Sequence, residues 1–292
     1  MPIRLIALDL DGTLLDSRGE IVAANARAIE TARAEGVRIV LVTGRRFRDA
    51  RPLALELGLD VPVVSHNGAL TKHARTLETV AAKLLPLAAA QTLVQIGTAE
   101  GLDPMVSVDH EGMGLLLYDR ISPGNRALAS YIAWSRRIVG DAADAHEAVR
   151  RVPSLVEYLD RPPVHISFSG TCRAMEQFGE LIERELGPQV QVMNTIYAHQ
   201  NFTLLDVINP GASKGAGLAA VAAELGVARQ EVMAIGDNYN DLEMLAFAAV
   251  GVLMGNAAAA LRERYHQFHL TATNDEAGVA IAIERFVLNN SD

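Results

Sequence analysis

Hydrophobic positions run in two rhythms along this chain. Toward both ends, short unbroken apolar runs alternate with segments whose apolar residues recur every three or four positions. Residues 3–10 are the first such run and predict a buried strand. Residues 21–35 follow as a helix, with Ile21, Ala24, Ala28, Ile29 and Ala32 roughly on one face and Gly36 as its stop. Further strands are predicted at 37–42, 61–65, 232–235 and 250–253, and an alanine-rich helix at 215–225. Unbroken apolar strands separated by helices specify an α/β fold with a parallel sheet covered on both faces. From about 86 to 204 the rhythm changes. Alternating stretches such as PMVSVDHEGMGLLLY and PVHISFSG mix with helical ones, which predicts an inserted α+β domain with an antiparallel sheet. The expected division is a core of 1–85 and 205–292 around an insertion of 86–204.

That division gives meaning to a pair of acids. The first strand ends in Asp9 and Asp11, followed by Gly12 and Thr13. Alone, such a pair reads as a solvated strand end or a helix cap. In an open parallel sheet, however, ligands gather beyond the carboxyl ends of the strands. Asp9, Asp11, Thr43, Ser65, Asn67 and Asp237 each follow such an end, so the fold would gather them on one rim.

Asp9 and Asp237, with the backbone carbonyl of Asp11, offer hard oxygen ligands suited to Mg²⁺, which favours octahedral oxygen and shares sites with phosphate. Thr43 adds a hydroxyl donor, Gly44 an unobstructed N–H, Lys214 a point charge and Asn240 an amide donor, together a phosphate pocket. Two like unit charges ~3.5 Å apart repel by roughly 5 kcal/mol at an effective dielectric of about 20. A bare Asp9 would therefore not approach a phosphate dianion. With Mg²⁺ and Lys214 beside it, Asp9 can serve as a nucleophile, and Asp11 as a group to protonate the leaving oxygen and later deprotonate water.

The motifs DLDGTLLD at 9–16, VTGR at 42–45, SHNGAL at 65–70, INPGASKGAGL at 208–218 and GDNYNDLEML at 236–245 stand in the order and spacing of the haloacid dehalogenase-like phosphatases. The long insertion and the closing TNDEAGVA at 273–280 resemble the Cof-like subfamily with a C2-type cap. The resemblance covers about 1–85 and 205–292 and implies a Rossmann-like core. By it, Asp9 is the nucleophile, Asp11 the general acid/base, Thr43 and Lys214 phosphate clamps, Asn240 a phosphate contact and Asp237 a metal ligand. It further implies that Asp241 supports the metal indirectly, by holding groups that bind it, and places Arg45 and Asn67 where a leaving group would be touched. Sugar phosphates lead among the small phosphorylated metabolites it suggests as substrates.

Composition narrows the alternatives. A net charge of −9, with no run of lysine or arginine, disfavours a nucleic-acid partner. A single cysteine, Cys172, excludes an intrachain disulfide and a thiolate zinc site. No apolar stretch is long enough to span a membrane, and Asp9 and Asp11 interrupt the only candidate leader, so a cytoplasmic protein is expected. GAGLAA at 215–220 loosely fits a dinucleotide-binding pattern, but small residues for close helix packing explain it better. His110, Tyr118 and His199 fall in the insertion, where ordinary packing is the plainer reading and contact with substrate the sharper one. Two rival functions survive the motifs. One is a phosphomannomutase-like phosphotransferase; the other is a receiver-like phospho-switch, which shorter chains without the D-x-D spacing perform.

Overall fold

The 3–10 run forms the strand Leu5–Leu8, with all four residues fully buried, in the computed structural model, which describes residues 2–138, 148–197 and 200–289. It lies between Val232–Gly236 and Arg38–Leu41, both parallel to it. Val250–Leu253 and the two-residue His269–Leu270 extend the sheet on the Val232–Gly236 side, again in parallel. Burial on both faces is why these strands carry no alternation. One face packs through Leu5, Ala7, Val40 and Ala234 against Leu218 and Val221 of helix Lys214–Glu224 and Met244 of Leu242–Phe247.

The helix expected at 21–35 runs over Ala23–Ala34. It starts late because Ile21 is taken by an antiparallel bridge to Leu15. Its buried face includes a polar residue, Asn25, whose Oδ1 accepts from the Ala280 N–H in helix Gly278–Ile283 at 3.0 Å.

The strand expected at 61–65 differs more. Pro62–Ser65 pairs antiparallel with Leu70–His73 in a separate three-stranded sheet that ends in Thr79–Ala82. A single parallel bridge, Val42 to Val64, ties it to the main sheet. The cause is the turn between the two strands: His66, Asn67 and Gly68 have φ of 51°, 54° and 90°, which reverses the chain at once.

These elements make up one of two compact units, Met1–Ala81 with Ser213–Asp292; the other is Ala82–Ala212. Residues 205–212 stay with the second unit because Phe202–Ile208 is a strand of its sheet. That sheet has six strands in the order Gln191–Tyr197, Phe202–Ile208, His165–Gly170, Met105–Val108, Leu115–Tyr118 and Val149–Arg151. Every neighbouring pair in it is antiparallel except the last, between Leu115–Tyr118 and Val149–Arg151, which is parallel. Ile166, Phe168, Leu205 and Val207 pack with helices Leu87–Ala99 and Cys172–Leu186. The alternate residues on the opposite side include Ser107, Ser167 and Asp206. Tyr118 is 5% exposed and packs with Met105, Leu116 and Ile132, as a core residue does. His110 lies in the turn after Met105–Val108, and His199 lies outside the described residues. Among the described residues no helix is long and apolar enough to cross a membrane.

Asp206 accepts a 2.5 Å hydrogen bond from Ser167 Oγ, with His165 Nε2 at 3.8 Å. Burial pushes its carboxyl up to about 6, although the serine bond favours the charged form. A raised folded-state pKa means that its contribution to stability is full at low pH and is lost as pH rises through about 6. Relative to Asp206→Asn, the native chain should therefore lose up to roughly 2 kcal/mol between pH 4 and pH 7. Paired urea titrations of the two proteins at both pH values check this; a constant difference would refute it.

Candidate active site

The carboxyl ends of the parallel strands hold the acids. Asp9 follows Leu8 directly, is 4% exposed, and its N–H donates to Ile235 O. Asp237 follows the strand Val232–Gly236, and Asp241 lies one short turn later. One oxygen from each of Asp9, Asp237 and Asp241 falls within 4.8 Å of the other two.

Lys214 reaches this cluster from the first turn of helix Lys214–Glu224, whose start is capped by Ser213 Oγ accepting from the Ala216 N–H. Its Nζ donates to Asp9 Oδ1 at 2.6 Å and to Asp241 Oδ1 at 2.5 Å. The other Asp9 oxygen accepts no hydrogen bond among the described residues. The helix can come this close because glycines stand at its contacts, one on the hairpin turn and two on the helix itself. A Cβ on Gly68 would stand 1.9 Å from Ser213 O, and one on Gly217 2.3 Å from a Val64 methyl. A Cβ on Gly215 would meet Glu243 at 2.8 Å. The GAGLAA glycines thus serve packing.

Charge does not balance within the cluster. Three carboxylates face one ammonium. Burial, reinforced by the charges of Asp241 and Asp237, holds the Asp9 carboxyl well above the usual range despite Lys214. Burial followed by the Asp241 charge pushes Asp237 up to about 7. Burial works against the Lys214 ammonium, but the charges of Asp241 and Asp9 more than offset it and hold its pKa above the ordinary lysine range. A divalent cation preferring oxygen fits this excess of buried negative charge. Asp241 is the member least available to it, because Oδ1 serves Lys214 and Oδ2 accepts from the N–H groups of Asp237 and Asn238 at 3.0 and 2.9 Å. It holds the loop that carries Asp237.

The remaining expected residues gather on adjoining loops. Thr43 is 1% exposed; its N–H donates to Val64 O, and its Oγ1 accepts from the Arg45 N–H. The hairpin turn clasps the same loop, since His66 N–H donates to Arg45 O and Asn67 N–H to Thr43 O. Gly44 leaves room for Asn67, whose Oδ1 would lie 3.0 Å from a Cβ there. That oxygen accepts from Asn240 Nδ2 at 2.9 Å, joining the 43–45 and 237–241 loops. Arg45 grips both oxygens of Asp11, at 2.8 and 2.6 Å, so its guanidinium is occupied by an acid in this structure. Ser65 is the one rim residue turned to another use: its hydroxyl donates to Leu70 O within the hairpin.

Two contributors were not anticipated. Asn256, just past the strand Val250–Leu253, donates to Gly12 O at 2.8 Å and stands 3.5 Å from Asp237 Oδ2. The strand-end rule that selected Asp237 would have found it. Thr13 donates to Asp237 Oδ1 at 3.3 Å, a contact invisible without the turn that Gly12 makes.

Gly12 has φ +83°, and a Cβ on it would lie 2.4 Å from Asp237 Oδ2. Gly12→Ala should therefore lower stability by about 1–3 kcal/mol through backbone strain and the displaced acid. Thermal unfolding measures it, and an unchanged melting temperature would show that the turn is not constrained.

Residues 6–283 match a family described as haloacid dehalogenase-like hydrolase. The chain is 30% identical to the stress response protein YhaX of Bacillus subtilis (strain 168), over 98% of this chain and 94% of that protein. It is 29% identical to the pyridoxal phosphate phosphatase YbhA of Escherichia coli (strain K12), over 90% and 92% respectively. Among solved structures, a haloacid dehalogenase-like hydrolase from Bacteroides thetaiotaomicron superposes with a TM-score of 0.79 at 26% identity, covering 97% of this chain and 99% of that one.

Proposed function

The chain belongs to the haloacid dehalogenase-like hydrolases, and from that premise we propose that it is a Mg²⁺-dependent phosphatase. Its substrates are small phosphorylated metabolites, hydrolysed through an aspartyl-phosphate on Asp9. The observation that carries this reading is the buried Lys214 ammonium shared by Asp9 and Asp241 beside Asp237, an anionic cluster with one cation built in. Asp9, Asp237 and the Asp11 carbonyl would hold Mg²⁺, which offsets negative charge between carboxylate and phosphate when bound.

Asp9 attacks phosphorus; an O–P bond forms as the ester P–O bond breaks, and Asp11 gives its proton to the departing oxygen. Water then attacks the aspartyl-phosphate while Asp11 takes its proton, which releases inorganic phosphate and the Asp9 carboxylate. Lys214, Thr43, the Gly44 N–H and Asn240 hold phosphoryl oxygens through both steps. Arg45 and Asn67 are assigned to the leaving group, and Arg45 must yield at least one Asp11 oxygen before proton transfer. Asp241 supports the metal-binding loop. The first unit is assigned the chemistry, and the inserted second unit the role of a cap. The cytoplasm, where such metabolites turn over, is the proposed location.

Purified protein should release inorganic phosphate from members of a panel that includes sugar phosphates and pyridoxal phosphate, and chelation of Mg²⁺ should abolish this. Turnover undiminished in excess chelator would remove the metal from the reading. Release that needs an added sugar acceptor would favour phosphoryl transfer instead.

Asp11→Asn leaves the nucleophile intact and removes the proton donor. It should cost about 10²–10⁴-fold with alkyl phosphates. An aryl phosphate should suffer much less in the first step, and phosphorylated Asp9 should accumulate in rapid quench. Equal losses on both substrates, with no phosphoenzyme trapped, would reject Asp11 as the acid/base.

A further inference from the structure

Away from the acidic cluster, the six-stranded sheet of the second unit has two unlike edges. Val149–Arg151 is three residues long and exposes Arg150 and Arg151. Short, charged edge strands are how natural sheets avoid pairing with a neighbour. Gln191–Tyr197 at the other edge has seven residues, QVMNTIY, with no charged residue, proline or glycine, in a chain of net charge −9. No strand lies on its outer side among the described residues. Ile196, at 60%, is the most exposed large hydrophobic residue among them.

We propose that this edge is the interface of a homodimer, in which two copies continue the sheet antiparallel across a two-fold axis. Self-complementarity points to a second copy. Pairing centred on Asn194 sets Asn194 opposite itself, Val192 opposite Ile196 and Met193 opposite Thr195. Side chains alternate along a strand, so Val192, Asn194 and Ile196 share one face. Val192 already packs against the helix-covered core that holds Phe178 and Ile182. Ile196 would come to lie beside the partner's Val192, which carries that core across the axis. Charge agrees as well. This is a neutral strand on an anionic protein, so two copies meet there without setting like charges opposite one another.

Sedimentation velocity from low to high micromolar concentration should show a monomer–dimer equilibrium. Asn194→Lys places two ammonium groups face to face and should raise the dissociation constant at least about tenfold, with an unchanged melting temperature for the monomer. In a Cys172→Ser background, Asn194→Cys should give a covalent dimer with diamide as oxidant, while Glu176→Cys on the exposed side of helix Cys172–Leu186 should not. A protein that is monomeric throughout would leave the edge to a strand of some other protein and overturn the proposal. So would a dimer that tolerates Asn194→Lys, or one in which Asn194→Cys fails to cross-link.

Discussion

One ammonium between two carboxylates constrains the rest of the first unit. Lys214, Asp9 and Asp241 have side chains at most 6% exposed. Taking such charges out of water costs several kcal/mol per ion, and their attraction repays this only with good geometry and satisfied remaining lone pairs. Here the geometry is close, and two backbone N–H groups satisfy the second Asp241 oxygen. Such a cluster contributes little net stability, but it holds charged groups in fixed positions. Losing one partner leaves the others buried and uncompensated.

That constraint reaches into the backbone. Lys214 acts from the first turn of its helix, so the helix must press against the hairpin and the Pro62–Ser65 strand. Contact is possible only where Gly68 and Gly217 present no Cβ, and Gly215 does the same for the approach to Glu243 of Leu242–Phe247. The left-handed turn at His66 and Asn67 has a double role. It reverses the chain toward Leu70–His73, and it ties the Thr43–Arg45 loop by backbone hydrogen bonds. Asn67 to Asn240 and Asn256 to Gly12 then join neighbouring loops, so donors and acids are held in fixed relative positions.

The two sheets show how burial writes itself into sequence. The parallel sheet is apolar on both faces and its strands read as unbroken runs. The second unit's sheet is apolar toward its helices, and on the other side sets Ser107, Ser167 and Asp206 among hydrophobic residues. Ser107 Oγ is buried there without a hydrogen-bond partner among the described residues. The alternation that marked this region as a different kind of domain is the trace of that asymmetry.

Periodicity and local chemistry were sufficient, from sequence alone, for the α/β class, the inserted α+β domain and the convergence of Asp9, Thr43 and Asp237 on one rim. All of these follow from short-range pattern plus the rule that parallel strands point their carboxyl ends one way. Tertiary structure decided what depends on contacts between distant positions. Asp9 and Lys214 are 205 positions apart, and nothing local to either says that they touch. Arg45 gripping Asp11, Asn240 donating to Asn67 and Asn256 holding Gly12 likewise join separate loops. Ile21 fits the helix face by its polarity, yet a bridge to Leu15 claims it for the loop. The 61–65 run looks like one more parallel strand because apolar sequence states that a strand is buried, not which neighbour it pairs with. Pairing was settled by three left-handed residues after it, whose backbone angles no side-chain pattern reports.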